Sequence, residues 1–214
     1  MFTNVPELFI LIPVIFNLRG ILEQGLAARL SKASRIGVME SISGRRKIWL
    51  GNLNLVMFQS ITAGLFAGLM SCFLAWILDS NGLPLWRSIL MVVVAAATAA
   101  STSVISGFFL FLVLQFFKRL KMNPDDLLGP LTNSIGGFIS LFILAIYAGF
   151  FYLWMGSWIG VVAVVGLLVV SNIYFYSKAR SNEAVNTLAS EGWPAILFSL
   201  LVTGLSGLLL QRFL

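Results

Sequence analysis

Six long apolar runs, parted by short polar connections, make up almost all of this 214-residue chain. A helix that crosses a bilayer needs roughly 20 mainly apolar residues, and the runs predict spans at about 6–30, 49–78, 84–117, 124–154, 157–177 and 193–213. The polar positions inside them are unevenly shared. In the first run Arg19 and Glu23 stand four apart on one helical face, where they can pair. Ionisable residues inside a span point by default to a functional site; a pair snorkelling to the inner interface is the alternative. Gly20 and Gly25 flank Glu23, which opens the prospect of a break or polar cavity near Gly20. The second run carries Asn52, Gln59, Ser60 and Thr62, which either line a path or bond neighbouring helices. Its Gly64 and Gly68 form a small-xxx-small pair suited to close helix contact.

The third run is almost wholly small from Ala95 to Ser103 and predicts a packing face without chemistry. The fourth opens with Asn123-Pro-Asp-Asp, reads as a helix start at Pro124 with Asp125 and Asp126 at the positive end of the dipole, and meets a loosening proline at Pro130. Thr132, Asn133, Ser134, Gly136 and Gly137 follow near the depth of lipid, where polar groups are tolerated only against other helices or water. A capped, kinked and tightly packed helix would also account for this stretch. In the fifth run Val161 to Val170 are uniformly apolar and predict a lipid-facing or connecting helix. The sixth starts at Trp193-Pro194, an interfacial anchor and a first helical turn, and continues through Thr203, Gly204, Ser206 and Gly207.

Composition agrees with the pattern. Hydrophobic residues are 59% of the chain and charged ones 10%, with a mean hydropathy of +0.96, which predicts an all-α polytopic membrane protein with one transmembrane domain over 1–214. The net charge of +6 suits basic cytoplasmic loops rather than nucleic acid. Ten of the basic residues (Lys32, Arg35, Arg45, Arg46, Lys47, Lys118, Arg119, Lys121, Lys178 and Arg180) fall in alternate connections, against Arg87 and Arg212 on the other side. Both termini are therefore expected outside a plasma (cytoplasmic) membrane, with 31–48, 118–123 and 178–192 inside. The N-terminal run has no basic leader or small-residue cleavage site and reads as a retained helix. Cys72 is the lone cysteine and histidine is absent, so zinc and haem ligand sets are missing; an ion handled here would be hard and oxygen-bound. No nucleophile-base pair, phosphate loop or metalloprotease motif suggests an enzyme.

Three stretches stand out together: LFILIPVIFNLRGILEQGLAARLS from Leu8 to Ser31 with Gly51-Asn-Leu and Gln59 downstream; NPDDLLGP from Asn123 to Pro130 running into Ser140; and NEAV from Asn182 through Gly192-Trp-Pro194 to GLLL from Gly207. They resemble the integral membrane domain of the MgtE magnesium channels, most closely one half of their eukaryotic solute-carrier relatives. The resemblance implies a divalent-cation pathway, chiefly for Mg²⁺, at the interface of two copies or two halves of a five-helix unit, with the repeat's first helix here placed at the C-terminus. The family's ion-binding acid matches Gly137, and its turn asparagine matches Ile21. Glu23, Gln59, Asn123, Asp125, Asp126 and Asn133 remain as candidate oxygen ligands, and Arg19, Gly20, Thr132, Ser134 and Gly137 as pore-lining positions. The implied partners are the bilayer and a second, similar chain, with a heterodimer slightly preferred because Gly137 lacks the carboxylate. A non-conducting structural or regulatory subunit beside an acid-bearing paralogue is the alternative function, and a transporter of another solute a third.

Overall fold

A computed structural model describes residues 8–37, 41–78, 84–120, 125–154, 158–180 and 193–213, with backbone alone at 125–135 and at a few helix-end positions. These residues form six helices: α1 (Leu8–Arg35), α2 (Ile42–Leu78), α3 (Leu85–Arg119), α4 (Asp125–Trp154), α5 (Trp158–Arg180) and α6 (Trp193–Phe213). Five are long and apolar enough to cross a membrane, and α6 carries a shorter apolar stretch, Trp193–Gly207. The protein is all-α and polytopic.

Two helices outrun the predicted spans by a turn or more. α1 continues to Arg35 and α2 begins at Ile42, because basic residues there carry helix out of the apolar layer instead of ending it. Lys32 and Arg35 sit in the last turn of α1, where cations suit the negative end of the dipole. Gly37, at φ 78°, then takes the left-handed conformation that closes many helices. Ser41 starts α2, its hydroxyl accepting from the Gly44 N–H at 3.0 Å, which satisfies one of the free donors at a helix start.

The break anticipated near Gly20 does not occur; α1 is continuous from Leu8 to Arg35, and α4 is continuous through Pro130. Leu18 and Leu22, both buried, clamp the turns either side of Gly20. In hydrocarbon an unbroken helix is also the cheapest way to satisfy the backbone.

α1 is the hub, touching α2, α3, α4 and α6. Towards its start Leu8, Leu11 and Ile15 pack with Leu90 and Met91 of α3 and with Leu144 and Phe151 of α4. At the other end Leu26 and Leu30 meet Val56 of α2 and Leu110 and Leu114 of α3. Val14, Leu18 and Leu22 pack with Ala63, Ala67, Ala99 and α6 residues Ile196 and Leu200. α1 thus runs parallel to α3 and antiparallel to α4. α2 and α3 approach closely through the glycine pair: a Cβ on Gly64 would lie 2.8 Å from the Ala96 Cα, and one on Gly68 2.5 Å from the Val92 Cα. Ala95 to Ser103 is a packing face, as its small residues suggest. α6 closes on α1 in the same manner, a Cβ on Gly207 falling 2.6 Å from the Ile10 carbonyl oxygen. α5 leans on α2, where Asn172 Nδ2 donates to Thr62 Oγ1 at 3.0 Å, and leaves Val162, Leu167 and Val170 exposed, the lipid-facing surface its composition predicts.

Candidate functional site

The site grows from two side chains one turn apart on α1. Arg19 Nε donates to Glu23 Oε1 at 2.5 Å, and Arg19 Nη2 donates to Oε2. This two-pronged geometry is the strong form of the arginine–carboxylate bond. Both side chains are almost fully buried, at 3% and 2% exposure. The pair is therefore internal to the bundle and does not snorkel. Charges held this deep persist only when paired and hydrogen-bonded.

α4 supplies a shelf for α1. A Cβ on Gly136 would land within the Arg19 guanidinium, and one on Gly137 within the Phe16 ring. Phe16 and Arg19 are three apart on α1, so they lie on one face and rest side by side on the two glycines. The space next to Gly137, where the resemblance looks for an acid, is filled by an aromatic ring. Behind the shelf Ser140 Oγ donates to the Gly136 carbonyl at 2.8 Å.

α3 contributes Ser106. Its buried hydroxyl faces the Glu23 carboxylate in a contact looser than an ordinary hydrogen bond. Thr98, Thr102 and Ser106 are four apart and all buried, a polar stripe along one face of α3. The Thr102 hydroxyl is satisfied by the Thr98 carbonyl at 2.6 Å, whereas that of Ser106 is directed at Glu23. Reading the sequence missed Ser106, which lies one turn beyond the small-residue run.

Beside the pair a groove of about 600 Å³ runs along α1, lined by Pro13, Phe16, Asn17, Arg19, Gly20 and Gln24 among others. Arg19 thus borders the groove while its side chain stays packed inside the bundle. Phe16 and Gln24 are exposed, and Asn17 and Gly20 half-buried. A groove does lie beside Gly20, but its lining is largely apolar and the helix beneath it is whole. Ile21 is half-buried and packs towards α6.

Gln59 is buried on α2, next to Ser60, whose hydroxyl meets that of Ser103 on α3 at 2.5 Å. Asn123 lies outside the described residues, as do the side chains of Asp125, Asp126, Thr132, Asn133 and Ser134. Their backbone register is informative all the same. Since α1 and α4 are antiparallel and Arg19 meets Gly136, the turn of α1 that bears Glu23 is level with the turn of α4 at Thr132 and Asn133. Among the described residues Glu23 is the one acidic side chain, and no three Asp, Glu, His or Cys residues gather into a cluster. What the arrangement offers is one carboxylate, a hydroxyl facing it and a resident cation, beside a groove that Asn17 and Gln24 make partly polar.

The family model for MgtE, described as a divalent cation transporter, matches residues 12–147, a stretch that contains the whole of this site. The chain belongs to the MgtE family of divalent cation transporters. It is 32% identical over 213 residues to solute carrier family 41 member 2 of Xenopus laevis, covering 99% of this chain and 38% of that protein. The Homo sapiens member 2 is 31% identical, with 99% and 37% covered, and the Mus musculus member 3 is 27% identical over 214 residues, with 99% and 43% covered. This MgtE-family chain therefore spans about two-fifths of the length of the curated relatives it matches. No solved structure matches it significantly.

Proposed function

We propose that the chain is one subunit of a divalent-cation channel or transporter, with Mg²⁺ as the chief cargo and the ion path running along the α1 groove between two chains. The observation that carries this reading is the buried Arg19–Glu23 pair beside a groove lined in part by exposed Gln24 and by half-buried Asn17, whose amide donates to Ser199 Oγ of α6. In a span, polar groups left on the outer face of a lone chain cost several kcal/mol each unless protein or water covers them. A second chain laid against α1 covers them and encloses water. Mg²⁺ sheds its waters reluctantly and needs few direct ligands, so one carboxylate with hydroxyl and amide oxygens around it suits a largely hydrated ion. The relatives are more than twice as long as this chain, which leaves room in each for a second such unit. In a plasma membrane, the basic ends of α1 and α5 would face inward and both termini outward.

The covered position at Gly137 favours a partner that brings its own carboxylate, and hence a heterodimer; a homodimer relying on Glu23 and the Asp residues of the α4 start is the close alternative. A non-conducting subunit is supported by the same ring over Gly137. The test is purification in mild detergent followed by Mg²⁺ flux in vesicles, together with cysteine crosslinking. Gln24→Cys on α1 should crosslink chain to chain and Leu167→Cys on the outer face of α5 should not. A monodisperse monomer that conducts Mg²⁺ would defeat the two-chain reading.

A further inference from the structure

We infer that Arg19 is a built-in competitor of the transported cation: its guanidinium occupies the Glu23 carboxylate when no ion is bound, and a divalent ion in the groove must displace it to reach that oxygen. The inference rests on the reading of Glu23 as part of the cation path, and it concerns a different residue.

Three observations carry it. Arg19 satisfies both oxygens of Glu23 with its fork, so no oxygen of that carboxylate lacks a charged donor. The guanidinium has a seat of its own, because Gly136 has no Cβ and any side chain there would collide with it. Arg19 also borders the groove while the pair itself stays almost fully buried, so an ion in the groove meets the Arg19 side of the pair before the carboxylate. Ser106 then has a role: its buried hydroxyl points at the same carboxylate, and oxygen is the ligand type a hard cation recruits once Arg19 has left. Such a tethered cation sets the ion concentration at which the site fills, since apparent affinity falls in proportion to the fraction of time the site is free. It also disfavours monovalent ions, which carry too little charge to replace a guanidinium held by two charge-assisted bonds.

The prediction is read in reconstituted vesicles as the Mg²⁺ concentration giving half-maximal flux. Arg19→Ala should lower it by about tenfold, the factor for a site free one-tenth of the time in the wild type. Free guanidinium ion, added well below denaturing concentration, should raise it again in Arg19→Ala but leave the wild type unmoved. Gly136→Ala, which keeps Arg19 but removes its seat, should shift it in the same direction as Arg19→Ala. A purely structural role for Arg19 would lower the maximal flux or the yield of folded protein and would not give guanidinium sensitivity. On the unaltered protein, phenylglyoxal modification of Arg19, mapped by mass spectrometry, should rise when Mg²⁺ saturates the site, which keeps the test open even if the variants fail to fold. Labelling that Mg²⁺ does not change overturns the inference. So does an unchanged or raised half-maximal concentration in folded Arg19→Ala, provided Glu23→Gln reduces flux. If Glu23→Gln leaves flux intact, the reading of Glu23 as part of the path fails as well.

Discussion

Placing a carboxylate at Gly137 is the most direct probe of the proposed ion path, and the structure changes what it should do. Gly137 is buried, and a Cβ there runs into the Phe16 ring. Gly137→Asp alone must therefore push that ring aside. Phe16 is 40% exposed and can swing into the groove, so the cost falls within the usual overpacking range of about 1–3 kcal/mol. Phe16→Ala removes the obstacle in advance. The two substitutions touch one another, and a coupling of about 0.5–3 kcal/mol is ordinary for residues in contact. Its sign is fixed by the geometry: the double variant should be more stable than the sum of the singles.

Function should follow the same coupling. With the ring in place the new carboxylate is pressed towards the Arg19 seat at Gly136; with the ring gone it faces the groove and gains access to Mg²⁺. Ligand binding raises stability by about 2.7 kcal/mol at one hundred times the dissociation constant, so the assay is the thermal midpoint of the purified protein with and without Mg²⁺, paired with flux. The Mg²⁺-dependent rise should be largest in Phe16→Ala/Gly137→Asp. An equal rise in Gly137→Asp alone, with additive stabilities, would refute the claim that Phe16 covers the acid position.

Two further outcomes follow from packing and topology. Gly68→Ile drives a branched side chain into the Val92 backbone, 2.5 Å from where its Cβ must sit, and should cost about 3 kcal/mol or more, seen as a large drop in the melting midpoint in detergent, whereas Gly166→Ala, with nothing within 4 Å, should leave that midpoint unmoved. In a chain with Cys72 replaced by alanine, cysteines at Ser43 and Gly82 should react with impermeant reagents from opposite faces of the membrane, and labelling from the same face would reverse the positive-inside reading.

Much of the fold was legible because lipid forces it. Every spanning segment must hydrogen-bond its own backbone and show carbon to hydrocarbon, so apolar runs map onto helices, and the small pairs Gly64/Gly68 and Ala95/Ala99 mark where α2 and α3 touch. The Arg19–Glu23 pair was legible from its four-residue spacing. What surrounds the pair was not, because it depends on how helices slide along one another. That Phe16 covers Gly137 requires the antiparallel register of α1 on α4. That Ser106 faces Glu23 requires the parallel register of α1 and α3, and in sequence nothing separates Ser106 from the packing serine Ser103. The expected break at Gly20 failed for a related reason: glycine permits a break, but buried Leu18 and Leu22 hold the helix on both sides.

The cost of the Arg19–Glu23 pair is itself an argument about purpose. Removing one member of a buried ion pair typically costs about 3–5 kcal/mol, yet replacing both with apolar residues of similar volume is often neutral or stabilising by about 1–4 kcal/mol. Stability therefore gives this chain little reason to keep a guanidinium and a carboxylate at 3% and 2% exposure in the middle of its central helix, and Leu18 and Leu22 already supply the packing there. Arg19→Met/Glu23→Leu should accordingly fold at least as well as the wild type, with an equal or higher melting midpoint, while losing cation flux. Glu23→Leu alone should be far less stable than the double variant, because it strands the guanidinium against Gly136 without a counter-charge. A double variant that fails to fold would show that the pair is a structural staple, and the groove beside it would then lose its strongest claim to be the ion path.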